Sequence, residues 1–370
     1  MDASNAGQPP SENRIARFLT LMKNWGASDM HLSVGRPPMF RVDGKVDTIR
    51  YRTLSNGDFR TLMEPITPPH LWKQFTESGD VDFAYELPGV SRFRVNMFRQ
   101  ERGMGAVLRN LSASIITIQK LRLPESVEKI VDMRSGLVLV TGPTGSGKST
   151  TLAAIINEIN QKHGLHIVTI EDPIEFVHPN KKSLLSQREV GAHTGSFASA
   201  LKAAMRENPD AVLVGEMRDL ETIEAAISAA ETGHLVFGTL HTNSAAKTVD
   251  RIVDAFPANM KDMIRTQLAS SLVAVISQVL CKKIGGGRIA AYEIMVNTTS
   301  IGSLIRENKT FRITSDIQTG AQLGMITMDT HLMSLVNREL VTPDEALEKA
   351  QDPNLMRENF LKMGVKLREV

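Results

Sequence analysis

Leu137-Val138-Leu139-Val140-Thr141 runs directly into Gly142-Pro143-Thr144-Gly145-Ser146-Gly147-Lys148-Ser149. A short apolar run, a glycine-rich turn and helix-forming residues from Ser149 to about Ile159 read as strand, loop and helix. In that setting the glycines let backbone N–H groups turn inward around a phosphate chain, and the helix N-terminus adds partial positive charge. Lys148 is placed to reach the β- and γ-phosphates, and Ser149 to hold Mg²⁺. Gly142, Pro143, Thr144, Gly145, Ser146, Gly147, Lys148, Ser149 and Thr150 form the candidate nucleotide cradle, with ATP and Mg²⁺ as the expected ligands.

Beyond this loop the chain alternates strand and helix. His166 to Ile170, Ala211 to Val214 and Leu235 to Thr239 are short apolar strands. Helical stretches lie between them, Phe197 to Arg206 and Leu220 to the stop at Gly233, and Ser244 caps the next helix. The pattern predicts an α/β fold with a mostly parallel sheet and helices on both faces. Ligands of such sheets sit at the carboxyl ends of the strands. There the sequence offers Glu171-Asp172-Pro173-Ile174-Glu175, Gly215-Glu216 and Leu240-His241. Glu175 and Glu216 are candidates for orienting the attacking water and helping to hold Mg²⁺, Glu216 through water. His234 and His241 are expected on the same edge, sensing the γ-phosphate; a structural role is the other reading of a lone histidine.

The first hundred or so residues read differently. A helix over Ile15 to Met22 precedes strands at Met30 to Val34, Met39 to Val42, Val81 to Tyr85, Arg92 to Phe98 and Ala106 to Asn110. Turns at Arg36-Pro37-Pro38 and Asp43-Gly44 complete a small α+β domain, with Leu111 to Gln119 as a linker. Arg92, Arg94, Arg99, Arg102 and Arg109 cluster here, and alternation puts Arg92 and Arg94 on one strand face. An arginine supplied by a neighbouring subunit speeds phosphoryl transfer by neutralising developing charge. An exposed basic face is the competing reading. At the other end, Thr299 to Val370 is mainly helical, and Thr342-Pro343-Asp344-Glu345 combines an N-cap, a first-turn proline and a capping-box glutamate.

Bulk properties narrow the function classes. A length of 370 residues favours two domains. A net charge of +2 counts against a constitutive nucleic-acid or anionic-membrane binder. The single cysteine, Cys281, excludes an intramolecular disulfide and a multi-cysteine zinc site, and reads as a small buried hydrophobe. Met1 to Pro10 lacks the pattern of a signal peptide, and the most apolar stretch, Ser271 to Leu280, is far shorter than the ~20 residues a membrane span needs. A cytoplasmic protein with at most peripheral membrane association is expected.

Several segments then resemble one family as a set. Ile170-Glu171-Asp172-Pro173-Ile174-Glu175 is similar to the Asp box of secretion-type ATPases, and Gly215-Glu216-Met217-Arg218-Asp219 to their atypical Walker B. Thr232-Gly233-His234 through Thr239-Leu240-His241-Thr242 resembles their His box. With Ala27-Ser28-Asp29-Met30-His31, the likeness runs nearly end to end, and it is strongest to the type IV pilus retraction ATPases. The resemblance implies a PAS-like N-terminal domain over 1–110, a linker over 111–120, and a RecA-like P-loop core over 121–370 with C-terminal helices from about 299.

It further implies a bacterial homohexamer, docked at the inner-membrane base of the pilus machine, with ATP bound between the two domains. Glu175 becomes the catalytic base, Glu216 the Walker B acid, His234 and His241 His-box residues, and Arg92, Arg94 and Arg109 charge-stabilising arginines. The implied partners are an inner-membrane pilus platform protein and a paralogous retraction ATPase; no nucleic acid is expected. Extension and type II secretion ATPases of this kind carry an extra N-terminal region and a four-cysteine zinc module, whereas here one cysteine is present and the sequence opens at the PAS-like domain. Retraction motors carry a signature resembling Ala-Ile-Arg-Asn-Leu-Ile-Arg-Glu, matched here by Ser300-Ile301-Gly302-Ser303-Leu304-Ile305-Arg306-Glu307. Its departures keep an accessory paralogue open as the alternative, and a nucleic-acid translocase on a similar core is the more distant one.

Overall fold

A computed structural model of the chain describes residues 14–42, 44–111 and 115–364, which form two compact units dividing between Ser114 and Ile115. Met1 to Pro10, Asp43 of the anticipated turn, 112–114 of the anticipated linker and 365–370 lie outside the described residues.

In the first unit, the helix Arg14–Asn24 buries Ile15, Leu19 and Met22, one stripe at helical spacing. The sheet contains β1 (Asp29–Ser33), β2 (Met39–Val42), β3 (Lys45–Thr48), β4 (Asp80–Leu87), β5 (Ser91–Gln100) and β6 (Gly103–Leu111), in the order β3-β2-β1-β6-β5-β4. Along β5, Phe93, Val95 and Met97 enter the core while Arg92 and Arg94 keep to the other face. The helices Asn56–Met63 and Pro69–Ser78 supply Phe59, Leu62, Met63 and Phe75 to that core. Each fully buried side chain of this size stabilises the fold by roughly 1.5–3 kcal/mol before ordering costs. β3 is exposed along its length, which is why no hydrophobic alternation marks it in the sequence.

The second unit is built on β7 (Gly136–Thr141), β8 (His166–Glu171), β9 (Leu184–Glu189), β10 (Ala211–Val214), β11 (Leu235–Leu240), β12 (Leu272–Lys282) and β13 (Arg288–Val296). Their order is β13-β12-β7-β11-β10-β8-β9, with parallel pairing throughout except for β12–β13. Alternate residues face opposite layers. Val138, Val140, Leu213, Phe237 and Ile276 pack on Leu152, Ile155, Ile156 and Ile159 of the helix Lys148–Lys162. Leu139, Val212, Val214, Val236 and Val275 pack on the helices Phe197–Ala204, Leu220–Glu231, Ala245–Asp254 and Lys261–Ser271. The helices Met328–Asn337, Pro343–Lys349 and Pro353–Lys362 bury Leu332, Ala346 and Phe360 with Cys281 of β12, whose thiol burial pushes up to about 11.

Three expectations change. Ser271 to Leu280, read only as too short for a membrane, is most of β12, an interior strand flanked by β7 and β13. Part of the expected linker is a helical turn, Ile118–Leu121, whose Ile118 is buried in the second unit. Thr342 caps its helix, accepting from the Glu345 amide, but the Glu345 carboxylate reaches across to the Lys282 amide at 3.0 Å instead of closing a capping box. No helix among the described residues is long and apolar enough to cross a membrane.

Candidate functional site

The loop after β7 takes its shape partly from its neighbour. Gly142 has φ +146°, and a Cβ there would lie 2.2 Å from the Gln278 carbonyl oxygen of β12, so only glycine fits. Gln278, 1% exposed, donates from Nε2 to the Ser146 carbonyl at 2.6 Å. One residue earlier on each strand, the Thr141 and Ser277 hydroxyls lie 2.8 Å apart. β12 therefore braces the loop from behind. The buried Ser146 Oγ has no hydrogen-bond partner among the described residues, which suits a loop whose remaining partner is a phosphate oxygen.

Lys148 Nζ donates to the Gly142 and Pro143 carbonyls at 2.8 and 3.2 Å. Burial lowers its ammonium from the ordinary lysine range, and the Glu216 and Glu175 carboxylates act against that shift. Both acids expected at the carboxyl edge thus act on the P-loop lysine. Glu216 follows β10, and its Oε1 lies 2.6 Å from His241 Nε2 while also accepting from Arg218 Nε. His241 follows β11, so adjacent strands bring the two side chains together.

Sequence reasoning placed Glu171 at a strand end without giving it a role, and did not single out Gln278. Glu171 ends β8, and its Oε1 accepts from Thr169 Oγ1 at 2.7 Å and Gln187 Nε2 at 3.2 Å. It is partly exposed yet closely surrounded by protein, and burial pushes its carboxyl up to about 7 against those two bonds, with the Glu175 charge adding to the rise. Glu171, Ser149, Thr239 and His178 line a cavity of about 40 Å³, enough for water and too small for a nucleotide. Burial, with Lys181 nearby, lowers the His178 imidazole to about 4, leaving it neutral there. Strand-end position was the available signal for Glu171. Gln278 is invisible without knowing that β12 lies beside β7.

His234 departs from expectation. It precedes β11, and its carbonyl accepts from Gly136 at the start of β7 at 3.0 Å, so it lies at the sheet edge opposite the P-loop. Its Nδ1 is 3.0 Å from the Ala229 carbonyl at the end of a helix, and it lines a cleft of about 500 Å³ with Lys202, Glu224 and Met263. Within one subunit His234 cannot touch a phosphate held by Lys148. The arginines belong to the first unit: Arg94 pairs with Asp82 at 2.6 Å, Arg109 with Asp29 at 2.8 Å, and Arg92 with Glu86 at 3.7 Å. Arg94 and Arg109 face each other across β5 and β6. Among the described residues no group of histidine, cysteine and acidic side chains forms a metal cluster.

Residues 8–286 match the family model described as type II/IV secretion system protein. The chain is 54% identical to the type IV pilus retraction ATPase PilT of Pseudomonas aeruginosa, over 94% of this chain and 99% of that one. It is 36% identical to the type IV pilus ATPase PilU of the same organism, over 94% and 91% respectively. A solved structure of the pilus retraction motor PilT with bound ADP superposes with a TM-score of 0.87 at 47% identity, covering 93% of this chain and 99% of that chain.

Proposed function

From the type II/IV secretion system protein family, to which this chain belongs, we propose that the protein is the motor that retracts a type IV pilus by ATP hydrolysis. The observation that carries this reading is the meeting of Lys148, Glu175, Glu216 and His241 at one sheet edge, in a chain so close to a named retraction ATPase. Lys148 exchanges its two loop carbonyls for the β- and γ-phosphates, and the Gly142–Ser149 backbone holds the rest of the chain. Ser149, and Glu216 through water, would hold Mg²⁺, which when bound would supply charge neutralisation at the transferring phosphoryl group. Glu175 orients and deprotonates the attacking water, and His241 reads the γ-phosphate from its place on Glu216.

The working form is a homohexamer in which Arg92, Arg94 or Arg109 of a neighbouring subunit stabilises the transition-state charge. It acts in the cytoplasm at the inner-membrane base of the pilus, turning a platform protein so that pilin subunits leave the fibre, with a paralogous ATPase as a further partner. The accessory reading draws on the altered stretch Ser300 to Glu307. Yet Ile301, Leu304 and Ile305, which match the signature, are its buried apolar residues, and identity to PilU is lower than to PilT.

Glu175→Gln tests the site. ATP binding is expected to persist while hydrolysis falls by about 10²-fold or more. Retained turnover would remove Glu175 from its role. Deleting the protein in its native cell should leave abundant pili that cannot retract; absent pili would indicate an extension motor instead.

A further inference from the structure

The loop that follows His241 is gripped from behind by one residue in the turn between the helices Pro343–Lys349 and Pro353–Lys362. Gln351 Nε2 donates to the Asn243 carbonyl at 3.0 Å and to Glu293 Oε2 at 3.1 Å. The backbone at Gln351 is fixed as well. Its amide donates to Asp329 Oδ1 at 2.7 Å, and the Asp352 amide to Asp329 Oδ2 at 2.9 Å. Asp329 lies in the first turn of the helix Met328–Asn337, and Asp352 caps the helix Pro353–Lys362 through the Leu355 amide at 3.0 Å.

Glu293, the other partner, stands on β13 and is 1% exposed. Its Oε1 accepts from the Ala245 amide at 2.8 Å, and its Oε2 lies 3.5 Å from the Met328 amide. Two helix N-termini, one from the ATPase core and one from the C-terminal helices, thus converge on a single buried carboxylate. The ladder partner of Glu293 is Ser277, the residue hydrogen-bonded to Thr141 at the foot of the P-loop. Every bond from Gln351 therefore leads either to the nucleotide edge or to the C-terminal helices.

We propose that Gln351 is a positioning residue for His241, and that the Gln351–Glu293 clasp passes the state of the nucleotide site to the helices Met328–Asn337 and Pro353–Lys362. The proposal rests on His241 reading the γ-phosphate. Only Thr242 separates His241 from Asn243, and consecutive Cα atoms are ~3.8 Å apart, so a movement of the His241 backbone that accompanies its exchange of Glu216 for a phosphate is carried to the Asn243 carbonyl. Gln351 then follows or lets go. If it follows, Asp329 and the cap at Asp352 move with it.

Gln351 is exposed, so replacing it opens no cavity, and the buried Glu293 it leaves keeps the Ala245 amide as a donor. Gln351→Met removes the donor at similar size, and Gln351→Lys restores a donor. On the full-length protein with Mg²⁺, Q351M is expected to lower the preference for a non-hydrolysable ATP analogue over ADP by about fivefold, with ADP affinity unchanged and Q351K recovering most of the loss. Hydrogen exchange is read alongside. The ATP analogue should slow exchange at 351–355 in the wild type, and in Q351M only around 241–246. Equal weakening of both nucleotides by Q351M, or exchange at 351–355 indifferent to nucleotide in the wild type, overturns the proposal. His241→Ala separates the two layers. If H241A keeps the wild-type preference, the reading of His241 fails; if H241A loses it while Q351M keeps it, only the clasp fails.

Discussion

Glu216 Oε1 and His241 Nε2 stand 2.6 Å apart, although 25 residues separate them in the chain. Parallel pairing of β10 with β11 sets the spacing, since each residue sits just beyond the carboxyl end of its strand. The imidazole and the Arg218 guanidinium share one carboxylate oxygen, so Glu216 Oε1 is held by two groups from different parts of the edge. A carboxylate oriented in this way is suited to ordering the water shell of a cation bound at Ser149.

Glu216→Gln keeps the size and an acceptor for His241 but removes the charge. Groups that act on a metal through its outer shell typically contribute 10–100-fold in affinity or activity. The Mg²⁺ concentration giving half-maximal ATPase activity is therefore expected to rise at least tenfold in E216Q. An unchanged Mg²⁺ titration with only a lower plateau would place Glu216 outside the metal shell.

The brace behind the P-loop makes a second prediction. Gln278→Leu removes the donor to the Ser146 carbonyl and leaves that acceptor buried, at a cost of about 1–3 kcal/mol. Nucleotide affinity measured by calorimetry should fall about tenfold or more, with the sheet intact by circular dichroism. Gly142→Ala is harsher, because its Cβ would meet the Gln278 carbonyl oxygen at 2.2 Å. Binding is expected to disappear. A G142A protein that binds ADP normally would show that β12 does not constrain the loop.

How far the sequence spoke depended on whether a signal was local. The P-loop, Glu175, Glu216 and His241 each lie within a few residues after an apolar run, so strand direction alone put them on one edge. His234 touches the same strand at its other end; seven residues on at ~3.3 Å each put His241 more than 20 Å away. Adjacency in sequence was there mistaken for adjacency in space. β9 is a polar edge strand paired only with β8, so it lacks the alternation that marks a strand. β12, covered on both sides by neighbouring strands, reads as an apolar run interrupted at Ser277 and Gln278, and Gln278 gains meaning only from the pairing of its strand with β7.

Glu171 carries a pH signature. Its carboxyl is raised to about 7, so the folded state prefers it protonated. That stabilising preference is complete below the ordinary glutamate range and is lost as pH rises through about 7. The shift corresponds to a ceiling of about 3 kcal/mol. Without nucleotide or Mg²⁺, Glu171→Gln should therefore gain stability over the wild type between pH 5 and pH 8. Chemical denaturation at the two pH values checks the sign; a difference independent of pH would mean that Glu171 ionises freely.

The three arginines make a graded test of catalysis in trans. Arg94 and Asp82 are both substantially exposed, and such pairs contribute at most about 1 kcal/mol. Arg109 differs, because its partner Asp29 is 4% exposed. Burial alone would raise the Asp29 carboxyl, but hydrogen bonds from Arg109 and Ser28 bring it below its usual value. Arg109→Ala therefore strips a buried carboxylate of its strongest donor, and lost activity in that variant mixes catalysis with folding. Arg94→Ala is the cleaner probe. Its melting temperature should match the wild type, while ATPase activity per subunit falls by 10²-fold or more if Arg94 is the charge-stabilising residue. Mixing R94A with an excess of Glu175→Gln subunits then decides the geometry. A neighbour's intact Arg94 should restore turnover at the R94A subunit's own Glu175, and activity that stays lost in every mixture would confine Arg94 to its own subunit.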